Sequence, residues 1–308
     1  MGGSGGGYFS GKIKIQDLIN QREKDANANA QSIDAEVAEL IGTLLNDFNN
    51  REVDAIKTHL DVIKTALVNE IEGTVDTIFA GSVSKHTYID GISDIDSLVI
   101  INNTNMENMA PEEVKNYFLD KLRQRLPNTE ITAGAMAVTV HFNDADIQLL
   151  PAIKTDSGLK ISNNTGNSWI AIKPQAFTEK LTTENQKLGN KLIPTIKIVK
   201  SIISNVPKDQ QLSGYHIESL AVELFSDYAG KLTHKAMITH FFQKAPEKIL
   251  NPMNDITGQS KYIDDHLGVQ DSLERKIIFN TLDRIKRRMQ NADANSSPAQ
   301  WKSILQID

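Results

Sequence analysis

The sequence predicts an α+β protein, a mixed sheet with helices followed by a mostly helical C-terminal part. Three observations predict it. Apolar residues recur at three- and four-residue spacing over residues 32–69, short β-like segments crowd residues 75–152, and helical spacing returns beyond about residue 169.

The opening MGGSGGGYFSG, residues 1–11, is glycine-rich and no strand precedes it, so it reads as a flexible leader rather than a dinucleotide fingerprint. Val37, Leu40, Ile41, Leu44, Leu45 and Phe48, then Val53, Ile56, Leu60, Ile63 and Leu67, predict one long or broken helical hairpin. After Gly73 strands are expected at 75–80, 94–102, 137–142 and 146–152, with a helix at 111–126. The Asn, Ser, Thr and Gly cluster SGLKISNNTGNS marks a boundary near 160–175. Residues 12–165 are therefore expected to form the core with its helical spine, and residues 166–308 the helical domain. Helices are expected at 187–205, 217–229, 233–244, 271–290 and 298–307, with 251–268 the longest irregular stretch.

Composition narrows the chemistry. At 308 residues and 40% hydrophobic content the chain can build sizeable cores, and it lacks the low hydrophobicity of disordered proteins. No apolar run approaches the roughly 20 residues of a membrane helix, and the start lacks signal-peptide features, so a cytoplasmic location without membrane contact is expected. With no cysteine, disulfides, thiolate nucleophiles and zinc–thiolate sites are excluded, and a metal must sit on oxygen or imidazole. A formal charge of -6 makes the whole chain a poor electrostatic partner for nucleic acid but leaves small anions carried with magnesium compatible.

The chemistry concentrates in residues 81–100, GSVSKHTYIDGISDIDSLVI. In an extended strand residues i and i+2 face one side, so Asp94 and Asp96 project together about 6–7 Å apart. Two close carboxylates on an apolar strand need compensation, and Mg2+ supplies it through carboxylate oxygens and substrate phosphates. In AVTVHFNDADIQLLPAI, residues 137–153, Asn143-Asp144 signals a turn and Asp146 leads a strand in which Ile147 and Leu149 face opposite to Gln148. Were that strand beside the first, three aspartates would converge, the arrangement that holds two divalent ions roughly 4 Å apart for nucleotidyl transfer. The Gly81-Ser82 turn could then approach a phosphate with its backbone N–H groups and hydroxyl. Each element alone has a plainer reading as a solvated strand end, a turn or a hairpin residue; their order is what makes the pattern specific.

That order resembles the polymerase-β-like nucleotidyltransferases. The longer form, with Gly81, Ser82, Thr87, Gly91, Ser93, Asp94 and Asp96 in place, is similar to the bacterial cGAS/DncV-like enzymes that make cyclic oligonucleotides in anti-phage defence. The resemblance implies a polymerase-β-like core, with Asp94, Asp96 and Asp146 as catalytic residues and ligands of two Mg2+ ions, Mn2+ being the alternative. In LIPTIKIVKSIISNVPKDQQLSGYHIESLAVELF it implies that Lys200 contacts the donor triphosphate with Lys197 as helper, and that Tyr215 stacks on the base. Gly214 stands where relatives carry a phosphate-binding serine, and Ser213 is the candidate replacement. His141 and His216 read as structural, and Glu218 is expected to pack near its helix start.

NPMNDITGQSKYIDDHLG, residues 251–268, resembles a segment of the enzymes encoded beside HORMA-domain regulators, making such a protein a candidate partner. Arg284, Lys286, Arg287 and Arg288 read as a solvated helix end or, more sharply, as a weak nucleic-acid contact. The implied function is synthesis of a cyclic di- or trinucleotide second messenger, adenine-containing, from ATP or other NTPs. The alternatives are an RNA-end or linear oligoadenylate transferase and a non-enzymatic nucleotide-binding module.

Overall fold

The structure, a computed structural model, describes residues 15–49, 53–68, 74–79, 87, 95–102, 105–156, 158–163, 165–255 and 261–307. The leader 1–11 lies outside them. Two helices open the chain, α1 (Ile15–Asn49) and α2 (Val53–Val68). Helix α1 begins well before residue 32, where the apolar spacing starts. Residues 15–31 carry no Gly or Pro to stop it, and residues 24, 28 and 31 on it are exposed.

One mixed sheet follows, made of β1 (Thr74–Phe79), β2 (Ile95–Asn102), β3 (Glu130–Ala133), β4 (Val138–His141), β5 (Asp146–Thr155), β6 (Gly158–Ser162) and β7 (Trp169–Ile172). Its order is β1-β2-β5-β4-β3, with β6 paired to β5 and β7 to β6. Strands β2 and β5 run parallel; the other described pairs are antiparallel. Helix α3 (Pro111–Arg125) lies between β2 and β3, with Pro at its first position and acidic residues in its first turn complementing the dipole.

Alternation along β2 and β5 gives the sheet two unlike faces. Val99, Ile101, Ile147 and Leu149 bury against Leu60, Ile63 and Leu67 of α2 and Val114, Phe118 and Leu122 of α3. The opposite face carries the smaller cluster of Leu98, Ile100, Ala152, Ile161 and Ile172. Each fully buried aliphatic side chain contributes about 1.5–3 kcal/mol, so the first face anchors the sheet.

The polar stretch read as a boundary is instead the β6–β7 hairpin, and the sheet runs on through residue 172. Its turn is organised by one carboxamide: Asn163 Oδ1 accepts from the backbone of Asn167 at 3.0 Å and from the Thr165 hydroxyl at 3.1 Å, while Gly166 takes φ +79°.

Six helices complete the chain: α4 (Pro174–Lys187), α5 (Leu192–Ser204), α6 (Gly214–Leu224), α7 (His234–Ile249), α8 (Leu273–Ala294) and α9 (Pro298–Leu305). Helix α4 falls in a stretch the sequence left unassigned. The helical core also takes Ile33, Val37, Ile41 and Phe48 from α1, so the spine packs with the C-terminal helices while α2 serves the sheet. Lys235 of α7 ties them together, pairing with Asp34 of α1 at 2.5 Å and Asp293 of α8 at 2.8 Å. No helix among the described residues is long and apolar enough to cross a membrane.

The segment between α7 and α8 is held by a buried arginine. Arg275 bonds Asp264 at 2.8 Å and donates to the carbonyls of Ile249, Asn251 and Gly268, so its guanidinium fastens both ends of the irregular stretch. His216 lies beside this pair, its Nε2 3.6 Å from Asp264 Oδ2, and neither ring nitrogen has a hydrogen-bond partner. Burial lowers its pKa from 6.5 to about 4 against the opposing pull of Asp264, with His266 and Arg275 lowering it further.

Between these values the unfolded chain binds the proton and the folded one does not, so stability falls as pH drops from 6.5 towards 4. That shift corresponds to about 3 kcal/mol. Urea denaturation of the parent and of His216→Leu across this window is expected to show the parent losing stability that the variant keeps; parallel profiles would contradict the assignment.

Candidate functional site

The parallel pairing of β2 with β5 builds the site. Its register seats Asp96 beside Gln148, and Asp146 lies one pleat before Gln148, so Asp96 and Asp146 share a sheet face at the N-terminal ends of the two strands. Ile147 and Leu149 are buried on the other face, as the alternation predicted. Asp94, Gly81 and Ser82 lie outside the described residues, as does the side chain of Asp96. Among the described side chains no three metal-ligating groups come together.

Asp146 itself is held at a fixed position. Its carboxylate Oδ1 meets His141 Nδ1 at 2.8 Å, and His141 Nε2 meets the Thr132 hydroxyl at 2.9 Å. The Asp146 side chain is 56% exposed, and Oδ2 has no partner among the described residues. An exposed carboxylate with one free oxygen, sharing a face with a second aspartate on a parallel neighbour, fits the all-oxygen donor set that Mg2+ takes. The turn before Asp146 is braced separately: Phe142 N–H donates to Ala145 O at 2.9 Å, His59 of α2 bonds Asp144 at 2.7 Å, and the His59 ring stacks on Phe142 with centroids 4.0 Å apart.

A second polar cluster joins the signature segment to the helices. Lys200 of α5, 3% exposed, places Nζ 2.7 Å from Glu218 Oε1 of α6 and 3.1 Å from the Thr87 carbonyl. The Thr87 hydroxyl donates to the same Glu218 oxygen at 2.5 Å. Thr87 and Glu218 are 0% and 1% exposed, so Lys200 is far from the solvated helix face that its spacing allowed. Lys197, one turn earlier, is half-buried.

This cluster explains the glycine at 214. A Cβ built there would stand 3.3 Å from Lys200 Nζ and 3.5 Å from its Cε, so a bare backbone lets the lysine lie against the start of α6. Ser213 has a capping role, its hydroxyl accepting from His216 N–H at 3.2 Å. Tyr215 is half-buried, packs edge-on to Phe177 at 5.0 Å and donates its hydroxyl to Asp255 at 3.0 Å, which links α6 to the 251–268 stretch.

The basic residues of α8 are engaged locally. Lys286 and Arg287 both pair with Asp283, Lys286 first among the causes that hold that carboxyl below its usual range, and Arg288 bonds Ser303. Arg284, Arg287 and Arg288 are exposed on the surface of α8, the solvated helix face of the plainer reading.

Sequence reasoning assigned no function to His141 and little to Glu218. The Asn143-Asp144 turn was a usable signal, because a hairpin closed there sets residue 141 opposite 146, as the register shows.

Residues 36–185 match the Second Messenger Oligonucleotide or Dinucleotide Synthetase domain. Among solved structures, the chain is similar to CdnC of E. coli MS115-1 with ATP, at 14% identity and TM-score 0.66 over 89% of this chain and 96% of that one. The same CdnC in complex with HORMA-deltaN gives 15% identity and TM-score 0.63 over 85% and 90%. The Vibrio cholerae DncV cyclic AMP-GMP synthase gives 10% and 0.61 over 96% and 90%. At these identities the likeness is one of fold, a polymerase-β-like core with a helical C-terminal part. No curated protein matches the sequence.

The buried pair of Lys200 and Glu218 makes a quantitative expectation. Lys200→Met or Glu218→Leu alone leaves one buried charge uncompensated and is expected to cost about 3–5 kcal/mol. The double variant should recover about 2–3 kcal/mol of the summed loss in urea denaturation; strictly additive losses would show that the two groups do not act as a pair.

Proposed function

We propose that this chain joins ribonucleoside triphosphates, ATP among them, into a cyclic di- or trinucleotide second messenger for anti-phage signalling, a reading supported by the match of residues 36–185 to the Second Messenger Oligonucleotide or Dinucleotide Synthetase domain. The observation that carries this is the β2–β5 register, which sets Asp96 and Asp146 on one face of the sheet.

Asp94, Asp96 and Asp146 would hold two Mg2+ ions, with Mn2+ able to substitute. When bound, the ions lower the pKa of the attacking ribose hydroxyl and neutralise charge on the triphosphate. Gly81 and Ser82 offer backbone N–H groups and a hydroxyl to the phosphates. Lys200, which the resemblance casts as the contact to the triphosphate, is buried against Glu218 and holds the Thr87 backbone instead, and Lys197 is the more accessible cation of the same helix. Tyr215, held by Asp255, presents a ring for stacking on a base, and Ser213 caps the helix that carries it. The hydroxyl oxygen of one nucleotide forms a bond to the α-phosphorus of the next and the bond to pyrophosphate breaks; a second transfer within the bound product closes the ring.

The similarity in fold to a CdnC solved with HORMA-deltaN supports a HORMA-type regulator as partner, and the 251–268 stretch fastened by Arg275 is the segment whose resemblance suggests it.

Incubation with all four NTPs and Mg2+, followed by phosphatase treatment and mass spectrometry, is expected to give a phosphatase-resistant cyclic product. Asp94→Asn, Asp96→Asn and Asp146→Asn should each lower its yield by more than about 100-fold, since a ligand matters more than the groups that orient it. Products that lose only their terminal phosphates would mean linear chains, and undiminished synthesis by the aspartate variants would refute the site.

A further inference from the structure

We propose that His141, held in turn by Thr132, is a positioning residue that fixes Asp146 for metal binding. The inference rests on Asp146 being a metal ligand, as assigned above. Asp146 opens β5 and its side chain is more than half exposed, so nothing in its own strand selects a rotamer. His141 closes β4 directly opposite it in the register, and Thr132 of β3 lies one pleat along from Glu130, the residue paired with His141. All three side chains therefore stand on the sheet face that carries Asp146 and Gln148.

The hydrogen-bond network sets the chemistry of the chain. An ionised carboxylate can only accept, so His141 Nδ1, 2.8 Å from Asp146 Oδ1, carries the hydrogen. In the neutral ring Nε2 is then an acceptor, and the Thr132 hydroxyl at 2.9 Å is its donor. Asp146 thus selects the tautomer, Thr132 steadies the ring through Nε2, His141 immobilises Oδ1, and Oδ2 is left to the site. Such partners fix the orientation of a ligating group, and their removal typically weakens metal affinity by about 10–100-fold.

The surrounding structure separates this task from folding. The turn that joins β4 to β5 is braced by its own backbone bond, and on the helix side by His59 on Asp144 and Phe142. Loss of the His141 side chain should be felt at Asp146 while the hairpin stays closed.

Mn2+ binding to the full chain, followed by electron paramagnetic resonance of the free ion, reads this directly, with thermal unfolding measured in parallel. His141→Ala is expected to weaken Mn2+ binding about 10–100-fold with little change in melting temperature. His141→Gln, which keeps an N–H donor, should recover part of the loss, and Thr132→Val should weaken binding less than about tenfold. If Asp146→Asn loses Mn2+ while His141→Ala binds it as tightly as the parent, the positioning role is wrong and the site assignment stands. If Asp146→Asn itself binds Mn2+ undiminished, the assignment of Asp146 as a ligand fails, and this inference with it.

Discussion

A single buried ammonium ties Thr87 to helices α5 and α6. Lys200 lies 2.7 Å from Glu218 and 3.1 Å from the Thr87 carbonyl, with Thr87 bonded to the same carboxylate. Desolvating a lysine and a glutamate costs several kcal/mol per ion, and their attraction offsets that only when the remaining polar valences are filled. Thr87 fills them. The consequence is geometric: Thr87 is referenced to α5 and α6, and Gly214 follows because a side chain there would crowd the ammonium.

The sheet supplies the other half of the constraint. Parallel pairing of β2 with β5 decides that two aspartates fifty residues apart in sequence share a face, and the buried face beneath α2 and α3 fixes that register against a one-residue slip. A slip would turn Asp146 into the core and Ile147 out of it. Hydrophobic burial on one side thus sets the position of charge on the other. The next strands in the sheet, β4 and β3, carry His141 and Thr132 to the Asp146 carboxylate, which is thus held by backbone pairing rather than by a loop.

Much of this was legible in the sequence, and the failures have physical causes. The alternation in residues 137–153 located β4, β5 and the facing of Asp146, since period two is a direct readout of a half-buried strand. The β6–β7 hairpin was not legible because its strands are short and its polar turn, stabilised by the Asn163 carboxamide, cannot be told from a linker by composition. The first half of α1 escaped because helix formers without an apolar stripe leave no periodicity. Lys200 was found by its motif, but its burial was not, because the pairing with Glu218 crosses helices and the contact with Thr87 spans more than a hundred residues. His141 needed the register of three strands before its relation to Asp146 could be seen.

The central claim is that Asp94, Asp96 and Asp146 form one metal-binding centre that faces a nucleotide. Crystals grown with Mn2+ and a non-hydrolysable ATP analogue test it most directly through the anomalous scattering of manganese. Anomalous peaks are expected within coordination distance of all three carboxylates and of the triphosphate oxygens. Manganese bound elsewhere, or a triphosphate seated away from Asp146, would contradict it.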